Sequence, residues 1–239
     1  MKKFFITSNK YQFCLPGLQK QLNKYWTKND SNFTILGFKN PNCKIEENFE
    51  FVSLGEEYSD DSPWFLPLLK YFSSIDDEYF FLAFEDHFLT SEINSELMEE
   101  CEKIMSEDLS VSKIRMHPKY DNNAIISDYN NNFHIGKSGI GSYIPTSLRP
   151  AIWRKSFFIR LLSHPAGIST PHDFEIYNNA TNFSEYKILV PKGNVPIYAD
   201  LDVMRGGKIN PQTFEPGFID MDYYNIFLKE EDLIIFKNF

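Results

Sequence analysis

The sequence predicts an α/β protein, a mixed and mostly parallel sheet flanked by helices, on three observations. Strand-like apolar segments alternate along the chain with segments whose apolar residues recur at three- and four-residue spacings. One strand-like segment, DDEYFFLAF (Asp76–Phe84), is apolar from Tyr79 on and does not alternate, as fits a strand buried on both faces. At 239 residues the chain is long enough to bury a full core as one unit.

Taken in order, the strand-like segments are KKFFIT, NFTILGF, FEFVSL, EYFFLAF, VSKIRM, NNFHIGK and PIYADLDVM. Between them, CLPGLQKQLNKYW, PWFLPLLKYFSSI, NSELMEECEKIM and SLRPAIWRKSFFIRLLS read as helices with one apolar stripe. Asn94 or Ser95 offers the N-cap for the third of these. The second half is less regular: Gly136, Gly139 and Gly141 interrupt the pattern, Pro145 and Pro150 flank TSLR, and Pro165 ends a helix. The tail YYNIFLKEEDLIIFKNF reads as a short helix or strand packed on the body. A strand–helix alternation of this kind implies a parallel sheet whose ligands sit outside the carboxyl ends of the strands.

Composition narrows the function. A net charge of −9 without a dense Lys/Arg stripe disfavours a polymeric nucleic acid as partner. Cys14, Cys43 and Cys101 are odd in number and widely spaced, which suits free thiols in a reducing compartment. The first ten residues lack the apolar stretch of a signal peptide and no later run is long enough to span a bilayer, so a cytoplasmic location is expected. The sequons at Asn32, Asn179 and Asn182 then carry no weight. The GKS of GKSGIG is not a phosphate-binding loop, because position 131, where that loop needs glycine, is Asn131. HExxH, G-x-S-x-G and a dinucleotide G-x-G-x-x-G after the first strand are absent.

The chemistry is concentrated at EDH, Glu85 to His87, just past the non-alternating strand. Carboxylates and an imidazole at the mouth of a sheet can bind a divalent cation, and a cation so held can neutralise a diphosphate leaving group. An acidic pair in a solvated turn is the competing reading. At HDFE, Pro171 next to a helix start puts Asp173 and Glu175 in the first turn, where acids are favoured by the dipole and can serve purely as caps.

Five blocks in one order, SNKY, EDHFL, SLRPAIWRK, HDFE and RGGK, span Ser8 to Lys208, and they resemble a family of bacterial and large-virus glycosyltransferases of the GT-A fold, akin to capsular polysaccharide and chlorella-virus sugar transferases. Asn9 stands where that family often has an acid and His172 where it often has Trp. The resemblance implies one GT-A domain over 1–239, with about 1–110 binding the nucleotide-sugar and about 111–239 the acceptor. It implies transfer of a sugar from a nucleotide-diphosphate donor to a glycan hydroxyl, inverting and assisted by Mn2+ or Mg2+. Ser8, Asn9 and Tyr11 would lie beside the base and ribose, and Glu85 on the ribose or behind the cation. Asp86 and His87 would be the metal ligands, and Asp173 or Glu175 the general base. Arg205 and Lys208 around two glycines would meet the diphosphate, with Arg149, Trp153 and His172 near the sugars. Trp153 reads equally as core. Two alternatives stand beside this reading: a non-catalytic nucleotide-sugar- or glycan-binding module on the same fold, and a phage nucleobase glycosyltransferase.

Overall fold

In the computed structural model, residues 1–27, 32–56, 64–118, 124–163, 170–178, 180–194, 196–205 and 208–210 are described. The first half lays down β1 (Lys2–Ile6), α1 (Leu15–Tyr25), β2 (Phe33–Gly37), β3 (Phe49–Ser53), α2 (Phe65–Ser74), β4 (Tyr79–Phe84), β5 (His87–Leu89) and α3 (Ser95–Glu107). The second half adds β6 (Val111–Arg115), β7 (Ile125–Asp128), β8 (Phe133–Gly136), β9 (Ala151–Arg154), α4 (Lys155–Leu162) and α5 (Pro171–Asn178). It closes with β10 (Lys187–Pro191), β11 (Asp200–Asp202) and the two-residue strands β12 (Met204–Arg205) and β13 (Lys208–Ile209).

Nine of these strands form one sheet in the order β3-β2-β1-β4-β9-β6-β10-β8-β7. The pairings of β1 with β2 and β4, of β2 with β3 and of β6 with β10 are parallel, and only β9 and β8 run against the rest. The architecture is the mixed, mostly parallel α/β sheet expected from the alternation of segments.

Side chains of β1 and β4 alternate between two buried layers, which is why neither strand alternates in polarity. Phe5, Phe81 and Ala83 face α1 and α3 through Leu18, Leu22, Met98 and Cys101. Phe4, Phe80 and Leu82 face α2, α4 and α5 through Phe72, Phe158 and Phe174. Phe72 stacks on Phe80 at 4.4 Å and meets Phe158 edge-on at 5.0 Å, a geometry that adds to plain burial. Asn94 caps α3, its side chain accepting from Leu97 N at 3.1 Å.

One helix expectation is corrected. SLRPAIWRK does not start a helix at Pro150: Ala151 to Arg154 form β9, wedged antiparallel between β4 and β6, and only Lys155 onward is helical. Ile152 and Trp153 are strand formers with no exposed surface, and burial between two strands outweighs their helical spacing. Trp153 accordingly takes its core reading, paired in register with Phe80 and Lys113. PIYADLDVM also contributes less strand than expected: β11, which pairs with β5 outside the main sheet, and the first residue of β12. Pro165 and the tail from 211 onward lie outside the described residues.

Candidate active site

The parallel strands β1 and β4 end side by side, and the backbone continues the pairing for one residue, Glu85 N donating to Ile6 O at 3.0 Å. Glu85 is thereby carried inward, where its carboxylate accepts from Ser8 N at 3.3 Å. Burial, and then the charge of Asp86, hold the Glu85 carboxyl well above the usual range.

The chain then turns at Asp86 into β5, which pairs antiparallel with β11 so that His87 faces Asp202. Val203 N donates to Asp86 O at 2.8 Å, and Tyr198 OH to His87 O at 2.8 Å, fastening the turn from the far end of the sequence. Alternation along Asp200-Leu201-Asp202 points both acids the same way. His87, Asp200 and Asp202 can each bring one ligand atom within 4.8 Å of the others. Oxygen and imidazole donors at that spacing suit Mg2+ or Mn2+. Phe84 N donates to His87 Nδ1 over a long 3.4 Å, a bond weak enough to yield so that Nε2 can ligate.

Arg149 lies against the same acids. Its guanidinium donates to Asp200 at 3.0 Å and grips Asp202 with both terminal nitrogens, one of them at 2.7 Å. Burial, and then Asp202, push the Asp86 carboxyl up to about 7. Burial also raises Asp200, to about 6, although Arg149 opposes it. His87 is pushed down to about 3 by burial and by Arg149, so its imidazole is neutral at pH 7.

Arg149 ends a loop held from below by Lys113, a fully buried lysine of β6. Its ammonium donates to Ile144 O at 3.1 Å, Pro145 O at 3.2 Å and Ser147 O at 2.6 Å, and rests 3.8 Å above the centre of the Trp153 ring. Three N–H donors thus meet three carbonyls, which satisfies the charge. From the same loop Leu148 N donates to Glu175 Oε1 at 2.5 Å, and Thr146 Oγ1 to Glu175 O at 3.0 Å.

These elements surround a cleft of about 530 Å³ whose walls include Asp86, His87, Arg149, His172, Glu175 and Asp202. A smaller cleft of about 190 Å³ adjoins it, sharing Phe84, Asp86 and Pro171, and is walled by Ser8, Tyr11, Phe38, Trp64 and Glu85.

The residues singled out in the sequence fall into groups. Ser8, Tyr11 and Glu85 line the small cleft, while Asp86, His87, Arg149, His172 and Glu175 line the large one. Asn9 instead ties two loops, its side-chain oxygen accepting from Lys39 N at 3.0 Å. Asp173 is engaged at the start of α5, where Thr170 Oγ1 accepts from Asp173 N at 3.1 Å and Asp173 Oδ2 accepts from Thr170 N at 3.0 Å. That reciprocal pair is a capping box. Arg205 and Lys208 pair across the β12–β13 hairpin, and their side chains lie outside the described residues. Asp200, Asp202 and Lys113 were missed. The acid-apolar-acid spacing of DLD was the available signal for the first two; nothing local marks Lys113.

No protein-family model matches the chain, and no curated protein matches it. Among solved structures, S. aureus TarS 1-349 overlays with a TM-score of 0.44 at 14% identity, covering 84% of this chain. The chain spans 59% of that TarS chain. The same TarS piece in complex with UDP-GlcNAc gives 0.40 at 15% identity, covering 95% of this chain and 64% of that one. A cytidylyltransferase from Leptospira borgpetersenii gives 0.48 at 12% identity, covering 84% and 82%.

Among the described residues no helix is long and apolar enough to cross a membrane.

Proposed function

We propose that the chain is a glycosyltransferase of the GT-A type that moves a sugar from a nucleotide-diphosphate donor to a glycan hydroxyl, with inversion and with Mn2+ or Mg2+ bound. The observation that carries this reading is the meeting, in one cleft, of a carboxylate on a helix, Glu175, with His87 and Asp202, which together with the buried Asp200 behind them could ligate a cation. A transferase needs those two functions apart, one to take the acceptor proton and one to carry leaving-group charge.

In this reading residues from about 1–110 form the donor half and about 111–239 the acceptor half of one domain. The small aromatic cleft takes the nucleoside, with Tyr11 and Trp64 as walls and Ser8 and Glu85 as polar contacts. Asp86 stands where the two clefts join, beside the diphosphate. His87, Asp200 and Asp202 hold the cation, which when bound offsets charge on the departing nucleoside diphosphate. Arg149 adds a second positive group, fixed to within its side-chain reach by the loop that Lys113 holds.

Glu175 is the general base. One of its oxygens is fixed by Leu148 N–H, and the other is available to the acceptor. As the acceptor oxygen bonds to the anomeric carbon, its proton passes to Glu175, and the bond from that carbon to the diphosphate oxygen breaks with its electron pair leaving on the nucleotide. His172, exposed at the rim, meets the acceptor.

Thermal unfolding with UDP-, GDP-, dTDP- and CMP-sugars, each with and without Mn2+, tests the donor site. One nucleotide class raises the midpoint, and Asp86→Ala abolishes the rise. Donor turnover then tests the base: Glu175→Gln lowers kcat by roughly 10²- to 10⁴-fold with donor binding retained. If no donor shifts the midpoint, the glycosyltransferase reading fails. If a donor binds but neither the wild type nor Glu175→Gln turns it over, the chain is a binding module.

A further inference from the structure

The ligating oxygens of Asp200 and Asp202 are already in use. Arg149 donates to one oxygen of Asp200 and to both of Asp202, so the guanidinium lies among the atoms a cation would need. A divalent ion and a guanidinium cannot share these oxygens, since each would repel the other at contact distance.

The three side chains differ in freedom. Asp200 is 1% exposed and Asp202 21%, whereas Arg149 is 41% exposed and lines the large cleft. Its backbone belongs to the loop that the buried Lys113 ammonium fastens through Ile144, Pro145 and Ser147. The anchor of Arg149 is therefore fixed while its guanidinium has about 530 Å³ of cleft to turn into. His87 is 9% exposed, and its Nε2 stands 3.8 Å from Asp202 Oδ1, beyond hydrogen-bond reach. It forms part of the same seat without being bound by the arginine.

We propose that Arg149 is an exchangeable counter-ion: in the ligand-free protein it occupies the seat between Asp200 and Asp202, and it yields that seat to a divalent cation, turning into the cleft to face the donor's diphosphate. The proposal rests on the cation-assisted reading above. Charge supports the exchange. The carboxylates of Asp200 and Asp202 outnumber the single guanidinium, and a dication covers the surplus better than one arginine does. Once displaced, the planar fork of Arg149 suits bidentate contact with phosphate oxygens. Cation and donor would then enter as a unit, because the arginine leaves one set of anionic oxygens most readily when another is offered.

The test is Mn2+ binding without donor, followed by the loss of the free-Mn2+ electron paramagnetic resonance signal, in the full chain. Arg149→Met and Arg149→Gln are each expected to bind Mn2+ roughly tenfold or more tightly than wild type, since a competing cation is gone. Asp202→Asn added to either variant removes the gain. If both arginine variants bind Mn2+ no more tightly than wild type while Asp202→Asn weakens binding, the cation seat stands and the exchange is overturned. If Asp202→Asn leaves Mn2+ binding unchanged in every background, the cation is seated elsewhere and the cation-assisted reading itself fails. Near-UV circular dichroism checks that the variants fold. Failure of both arginine variants to fold would make Arg149 a structural fixture and also overturn the proposal.

Discussion

Lys113 brings an amine into the sheet interior, where burial and then Arg115 lower its pKa against the three carbonyls that favour its charged form. Three carbonyls of the Ile144–Ser147 loop depend on it. Lys113→Met keeps the apolar stem and leaves those carbonyls without a donor. Urea titration should show a loss of roughly 2–4 kcal/mol, and the effect reaches the cleft because Leu148 and Arg149 belong to the same loop. Asp86 behaves in the opposite sense. Its folded pKa, about 7, lies above the ordinary value of 3.8, so between those values the native state holds the proton more strongly than the unfolded chain. The contribution of this group to stability is present at low pH and is lost as pH rises through 7. Asp86→Asn should therefore be more stable than wild type at pH 8, by at least about 1 kcal/mol. The difference should vanish near pH 4, as denaturant midpoints at the two pH values would reveal. An equal difference at both would mean that ionised Asp86 is not destabilising.

At the level of single elements, α5 separates two acids that the sequence presents as equals. Asp173 closes a capping box with Thr170, while Glu175, two residues on, lines the cleft. Because the side-chain oxygen of Asn can still accept from Thr170 N, Asp173→Asn should keep donor turnover within about threefold of wild type, whereas Glu175→Gln should not. Loss of turnover in Asp173→Asn with the midpoint of unfolding unchanged would move the base to Asp173. Much of this was legible in advance: the strand before EDH, a cap at Asn94 or Ser95 and Asp173 in the first turn of α5 follow from local pattern, whereas Glu175, expected in that same turn, lies past it. β9 was not, because its helix-like spacing is overruled by two neighbouring strands that no local window contains. Asp200 and Asp202 escaped for a related reason. Their partners, His87 and Arg149, are far away in sequence: the antiparallel pairing of β5 with β11 brings His87 to them, and the loop before β9 brings Arg149.

Over the whole molecule, β9 joins β4 to β6 and so makes one continuous sheet of strands from the first and second halves of the chain. Trp26 is buried on one face of that sheet, and Trp64 and Trp153 on the other. Tryptophan fluorescence and far-UV circular dichroism should thus report a single denaturant midpoint, whereas two separated midpoints would show that the halves unfold independently. The sheet was legible because alternating strand and helix segments allow few other arrangements; its reversed strands were not, because direction is decided by packing. The fastening of His87 by Tyr198, 111 positions later, bears on the order of events during synthesis. A ribosome delivers the β1–β4 scaffold long before the segment that completes the seat. For most of its elongation the nascent chain has these strands but neither Asp200 nor Asp202, so any ligand that those acids help to hold cannot guide early folding and can only stabilise the finished product.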